Sequence, residues 1–246
     1  QHTNDRRQRQ MCIRDRIENT RFAVSTEETR YYLNGIYLHI AEMQLLRAVS
    51  TDGHRLARSQ MDLPGGAESM PSVIVPRKAV GELSKLIDEY EGDVRIGITD
   101  SRARFTFGSV EVTTKLIDGT FPDYQRVIPT ENNNILQVSS DAFRQAVDRV
   151  STVSADKTRS VKMRISGEVM TLSASSTDSA SGEETLEVSY NGSDIEIGYN
   201  ARYLMDVASQ IDGETIEFAL ADSALPTVIR NPGDDANLFV LMPMRV

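Results

Sequence analysis

Tryptophan is absent from this sequence, cysteine occurs once, and there are only three histidines. A lone Cys12 excludes an internal disulfide framework and suits a reducing compartment. His2, His39 and His54 have no partners at metal-ligand spacing, so no metal site is indicated. There is no GxxxxGK[ST] loop, and with it goes the commonest phosphate cradle. No apolar run approaches the ~20 residues of a membrane-spanning helix, and the chain does not open on a signal-peptide pattern. The expectation is a cytoplasmic protein that needs no cofactor.

What is present is ordinary for a globular chain: 39% hydrophobic and 26% charged residues, with aromatics at 6%. The core must therefore rest on Val, Leu, Ile and Met. A net charge of −9 speaks against nucleic acid, unless positive charge is gathered on one surface. Residues 1–16 are polar and Arg/Gln-rich, and the run Met11 to Arg16 reads like translated sequencing-adapter sequence. They are set apart from the fold as a disordered or artefactual leader, a DNA-binding basic arm being the alternative.

From Ile17 on, the chain repeats itself. VIVPRKAVGELSKLIDEYEGDVRIGITDS in the first half is echoed by IEIGYNARYLMDVASQIDGETIEFALADS in the second. Leu83 matches Val207 and Ile87 matches Ile211, each pair 124 residues apart, which means a duplicated domain and not a solenoid. The boundary falls in the polar stretch Thr130 to Asn134, giving domains 17–132 and 133–246. Each copy reads as α+β, with two helices among antiparallel strands. Val94, Ile96 and Ile98 alternate with polar residues, as do Ile216, Phe218 and Leu220. Asp52-Gly53 and Asp118-Gly119 are turn signals. Phe143, Ala146, Val147 and Val150 form one apolar helical stripe, and Val80, Leu83, Ile87 and Tyr90 another. Lys78 and Lys85 lie together on the far side of their helix, Arg202 lies opposite its stripe, and Arg144 and Arg149 flank theirs. Charged outer faces are the rule on helices, and Glu82, Asp88 and Asp148 share these surfaces, so the charge pattern alone does not define a site.

Longer motifs do. Arg30-Tyr31-Tyr32-Leu33-Asn34-Gly35, Thr51-Asp52-Gly53-His54-Arg55-Leu56-Ala57, PRKAVGEL (Pro76 to Leu83), LIDGTFPDYQRVIP (Leu116 to Pro129) and the terminal MPMRV (Met242 to Val246) occur in one order. Together they resemble the middle and last domains of the bacterial sliding clamp, the DNA polymerase III beta subunit. The first of that family's three domains has no counterpart here. The resemblance implies DNA-clamp domains in a head-to-tail dimeric ring, with helices lining the hole and strands forming the rim. Sliding requires sequence-independent phosphate contacts, because base contacts would fix a register. The implied DNA-facing residues are Arg30, Tyr31, Tyr32, Arg77, Lys78, Lys85, Arg144, Arg149 and Arg202.

The resemblance also implies a hydrophobic groove between the two domains. It would take short peptide motifs of the polymerase III alpha subunit, the clamp loader, other polymerases and repair proteins. Its implied residues are Leu33, Thr51, Gly53, His54, Arg55, Leu56, Pro122, Val127, Pro226, Val240, Met242, Pro243, Met244 and Arg245, with Asn200 and Tyr203 at the edge. Leu, Val, Pro and Met suit an apolar cleft, and Met adapts to several partners. Lacking one domain, this chain is expected to be monomeric, and a peptide-binding module unable to close a ring is the alternative function. A hydrolytic set of Asp52, His54 and Asp118 can be drawn, but both aspartates precede glycine, where a turn role suffices. No catalysis is expected.

Overall fold

The computed structural model describes residues 13–153, 160–175 and 180–245, in two units that divide after Asp123. The expectations for residues 1–12, Cys12 included, and for Val246 lie outside the described residues. The division precedes the polar stretch 130–134. Asn132 is tied into the second unit, where its Nδ2 donates to the carbonyls of Ala219 and Pro226, each at 2.9 Å.

The first unit opens with helix α1, residues 13–21, followed by a 3-10 turn at Glu28–Leu33. Strands β1 (Gly35–Ala41), β2 (Leu45–Thr51), β3 (Arg55–Asp62) and β4 (Val73–Pro76) form an antiparallel sheet in the order β3-β2-β1-β4. Helix α2 (Arg77–Glu89) leads into the meander β5 (Val94–Ile98), β6 (Arg102–Phe107) and β7 (Val110–Lys115). Pro76, which cannot continue a helix backwards, sits extended at the start of α2, and the Arg77 amide is satisfied by the Asn34 carbonyl at 2.9 Å. Val80, Leu83 and Ile87 of α2 are buried as their spacing predicts. Tyr90 lies one residue past the helix and packs edge-on against Phe107.

Residues 13–16 require a correction. Ile13 and Ile17 are both buried and join the same core cluster as Leu83 and Ile87. Arg14 pairs with Asp88 at 2.7 Å, and the buried Arg16 donates to the Gln60 carbonyl. These residues are the first turn of α1 and part of the fold. Their three charged neighbours conceal an apolar i, i+4 pair that only the tertiary partner reveals.

His39 on β1 is buried beside a row of stacked rings. Its imidazole lies 4.7 Å from Tyr37, whose ring stacks on Phe121 at 4.8 Å. Burial holds the His39 pKa below its ordinary value, Arg47 adding to this while the Ile40 carbonyl opposes it. The neutral form is therefore favoured on folding. Its contribution to stability is complete above about pH 6.5 and is lost as pH falls through the depressed folded pKa. His39→Gln is expected to flatten that acid limb in urea-unfolding curves taken between pH 5 and 8; an unchanged limb would place the titration elsewhere.

The second unit contains β8 (Asn134–Ser139), α3 (Ser140–Ser151), β9 (Ser160–Ser166), β10 (Val169–Ser175), β11 (Ser181–Glu187), β12 (Ser189–Tyr190) and β13 (Ile195–Asn200). Helix α4 (Ala201–Ala208) and strands β14 (Thr215–Leu220), β15 (Thr227–Arg230) and β16 (Asn237–Leu241) complete it. One antiparallel sheet runs β12-β8-β14-β15-β16 and the other β11-β10-β9-β13. Tyr199 on β13, fully buried, shares a 2.5 Å hydrogen bond with Thr227 on β15 and so links the two sheets. Both units thus carry two helices on antiparallel sheets, as expected. Strand β14 departs from the half-buried pattern, because Glu217 and Ala219 are buried along with the apolar face. The Glu217 carboxylate is satisfied by Arg230 Nε at 2.7 Å and Gln137 Nε2 at 2.9 Å, which lets a charged residue occupy an interior position.

Candidate functional site

In the first unit the implied groove residues gather at the turn between β2 and β3. Asp52 organises it: its Oδ1 accepts from the amides of His54 (2.9 Å) and Arg55 (3.0 Å), and its Oδ2 accepts from Arg55 Nε at 3.0 Å. Thr51 Oγ1 donates to the Arg55 carbonyl at 2.7 Å and accepts from the Gly53 amide at 3.1 Å. Gly53 adopts φ +92°, a conformation that L side chains rarely take, so the turn favours glycine for its backbone; the Arg30 guanidinium lies close by and is exposed enough to move aside. His54 is exposed, whereas Leu33, Arg55 and Leu56 are buried. Both Asp52 oxygens are engaged, so the carboxylate is a turn organiser and not a free base.

Asp118-Gly119 is not a hairpin turn. It lies in the irregular segment after β7, with a bend at Gly119, and a Cβ there would sit 3.0 Å from Tyr32 Cβ and 3.4 Å from Tyr31. Gly119 therefore makes room for the two tyrosines, which meet edge-on with ring centroids 5.8 Å apart. Tyr31 remains 53% exposed. Pro122, at the end of this segment, is exposed as well.

In the second unit the chain's last described residues are sewn down. The Met244 amide donates to the Gly198 carbonyl at 2.8 Å and forms an antiparallel bridge to β13. Two residues on, Asn200 caps α4, its Oδ1 accepting from the amides of Arg202 (2.9 Å) and Tyr203 (3.3 Å). Leu241 pairs with Thr227, so Pro226 and Met242 leave the same end of the β15–β16 pair. Met242 is 39% exposed, Pro243 and Met244 are half-buried, and Arg245 is exposed. Val240, by contrast, is core at 2% exposure, and Val127 at the end of the 3-10 turn Tyr124–Val127 is 50% exposed. The second unit thus offers Pro226, Asn200, Tyr203 and the Met242–Arg245 tail.

The basic residues divide into two groups. Arg144 is a clasp: its Nη1 donates to the carbonyls of Ala208 (2.9 Å) and Ile211 (3.2 Å) at the end of α4, while its Nη2 pairs with Asp141 at 2.7 Å. Arg149 makes two bonds to Glu184 on β11, at 2.7 and 3.2 Å. That side-chain pairing raises the Arg149 pKa and holds Glu184 below the usual carboxylate range. Both arginines of α3 are committed to protein. Arg77, Lys78, Lys85 and Arg202 are exposed, Lys85 lying 3.3 Å from Glu82 and Arg202 3.9 Å from Asp206. Arg30 is exposed too, 3.5 Å from Glu27. Missed by sequence reasoning is Phe22, whose ring lies under the Arg55 guanidinium.

Two α+β units of matching plan, each with paired helices on antiparallel sheets, define the class of duplicated DNA-clamp domains. Comparison with known families is specific: the model of the DNA polymerase III beta subunit central domain matches residues 9–123, and that of its C-terminal domain matches residues 125–245. The chain belongs to the DNA polymerase III beta subunit family, the beta sliding clamps. It is 48% identical over 233 residues to the beta sliding clamp of Caulobacter vibrioides, covering 94% of this chain and 63% of that protein. To the beta sliding clamp of Escherichia coli it is 36% identical over 239 residues, covering 96% and 64%. A crystal structure of the Bartonella birtlesii DnaN sliding clamp bound to griselimycin superposes with a TM-score of 0.94 at 49% identity, again covering 96% of this chain and 64% of that one. The chain thus spans a little under two thirds of the length of these relatives.

Proposed function

We propose that this chain serves as the partner-binding part of a DNA sliding clamp and carries out no chemistry of its own. In this reading, short peptide motifs of the replicative polymerase III alpha subunit, the clamp loader and repair polymerases dock on the β2–β3 turn and on the Met242–Arg245 tail. The observation that supports it best is that tail. Its Met244–Gly198 hydrogen bond ties the segment to β13, two residues before the Asn200 cap, while Met242 and Pro243 stay partly exposed. Apolar side chains with a few fixed polar groups suit a peptide ending in Leu or Phe. The test is fluorescence polarisation with a labelled QLxLF-type peptide. Saturable binding on the order of micromolar, about −8 kcal/mol, is expected; a folded chain that leaves the peptide free would overturn the reading.

The same proposal gives the exposed cations a role. A clamp around duplex DNA must hold phosphates without reading bases, and in this reading the whole protein does so as a homodimeric ring in the cytoplasm, at the nucleoid. Lys78 and Arg144 separate a DNA contact from a structural arginine. Lys78→Ala is expected to reduce the slope of log affinity against log salt by about 0.9. Arg144→Ala should leave the slope unchanged and cost about 1–2 kcal/mol of stability by removing the donor to the Ala208 and Ile211 carbonyls at the end of α4. Equal slopes for Lys78→Ala and the parent chain would remove Lys78 from the interface. The alternative, a peptide module that closes no ring, is read from sedimentation: a monomer supports it, and a stoichiometric ring excludes it.

A further inference from the structure

We propose that Phe22 is a positioning residue for the Thr51–Arg55 turn, acting through the Arg55 guanidinium. Phe22 follows α1 directly, and Arg55 Cζ lies 5.3 Å from the centre of its ring. The guanidinium Nε also donates to Asp52 Oδ2, and the other oxygen of that carboxylate holds the amides of His54 and Arg55. The Arg55 and Asp52 side chains are only 8% and 16% exposed. A charge so buried needs fixed partners. The ring supplies one through the negative face of its π-system, and the carboxylate supplies the other. The base under the ring is also anchored, because Ser50 Oγ on β2 donates to the Thr20 carbonyl at the end of α1. A chain of contacts therefore runs from α1 through Phe22, Arg55 and Asp52 to the two amides that shape the turn. Without the aromatic face, the Arg55 guanidinium loses one of its supports, and its grip on Asp52, and through Asp52 on the two amides, loosens.

The role in partner binding rests on the function proposed above; the role in shaping the turn does not. The test uses Phe22→Leu, which keeps an apolar side chain and removes the π-face, and Phe22→Tyr, which keeps the face. Both are made in the full chain. Amide hydrogen exchange is read by NMR at His54 and Arg55, with peptide polarisation alongside. For Phe22→Leu, exchange at these two amides should be about threefold to tenfold faster, with peptide affinity weakened by a similar factor. Amides of α3, in the other unit, should not change. Phe22→Tyr should restore both readouts to within about twofold. Unchanged exchange at His54 and Arg55 in Phe22→Leu, or a Tyr variant as impaired as Leu, would overturn the proposal. Faster exchange in a chain that binds no peptide even with Phe22 would uphold the positioning role and overturn the binding reading alone.

Discussion

Phe143→Ala is expected to destabilise the second unit by about 3–5 kcal/mol, a large share of what holds an ordinary domain folded. Phe143 opens the apolar stripe of α3 and is fully buried, as are Ala146 and Val147, with Val150 nearly so. Its ring meets Phe218 of β14 edge-on at 5.2 Å, so it joins helix to sheet. Truncation removes the transfer energy of the ring and leaves a cavity in a close-packed interior. The aromatic pairing, worth about 0.5–1.5 kcal/mol, goes with it. Urea unfolding followed by circular dichroism reads the effect as a lower midpoint for the second unit. A conservative Phe143→Leu should recover most of the loss. A stability loss below about 1 kcal/mol for the alanine variant would mean that the site collapses around the smaller residue.

Deleting Met242 to Val246 is expected to abolish detectable peptide binding, a loss of about a hundredfold or more from a micromolar start. The deletion removes apolar surface and the strand-like bridge to Gly198 while leaving β16 intact through Leu241. Stability should fall by only about 1 kcal/mol, the worth of one backbone hydrogen bond at an edge. The Tyr199–Thr227 bond and the packed α3–β14 interior are untouched. The contrast between the two variants is the informative part. Phe143→Ala weakens the fold while sparing the surface residues, whereas the deletion spares the fold and removes the surface. A truncated chain that binds peptide as well as its parent would transfer the binding role entirely to the β2–β3 turn.

The periodic features were legible in the sequence. The α3 stripe, the α2 stripe through Ile87, and the doubling of the whole plan follow from side-chain spacing, which both helix and strand impose on their residues. Features that depend on distant partners were not. Arg16 looks like a solvated cation until the Gln60 carbonyl is beside it. Arg144 looks like a phosphate ligand until the end of α4 is seen to need capping. Glu217 breaks the alternation of β14 because Arg230 and Gln137 lie across the ladder. Among the site residues, the motif signalled the turn at Asp52-Gly53, and the structure supplies its bonding. Phe22 gave no signal, since an aromatic after a helix says nothing about which guanidinium will lie over it.

The stitch between Met244 and Gly198 has a practical side. Any affinity tag, fluorescent protein or surface linker joined close behind Met244 would begin within a few residues of Gly198 and the Asn200 cap, crowding the region where partners are proposed to dock. Such a fusion would compete with the interaction it was meant to report. Labels are better carried on the loop joining β9 to β10, where Gly167 turns at φ +57° with open space around it.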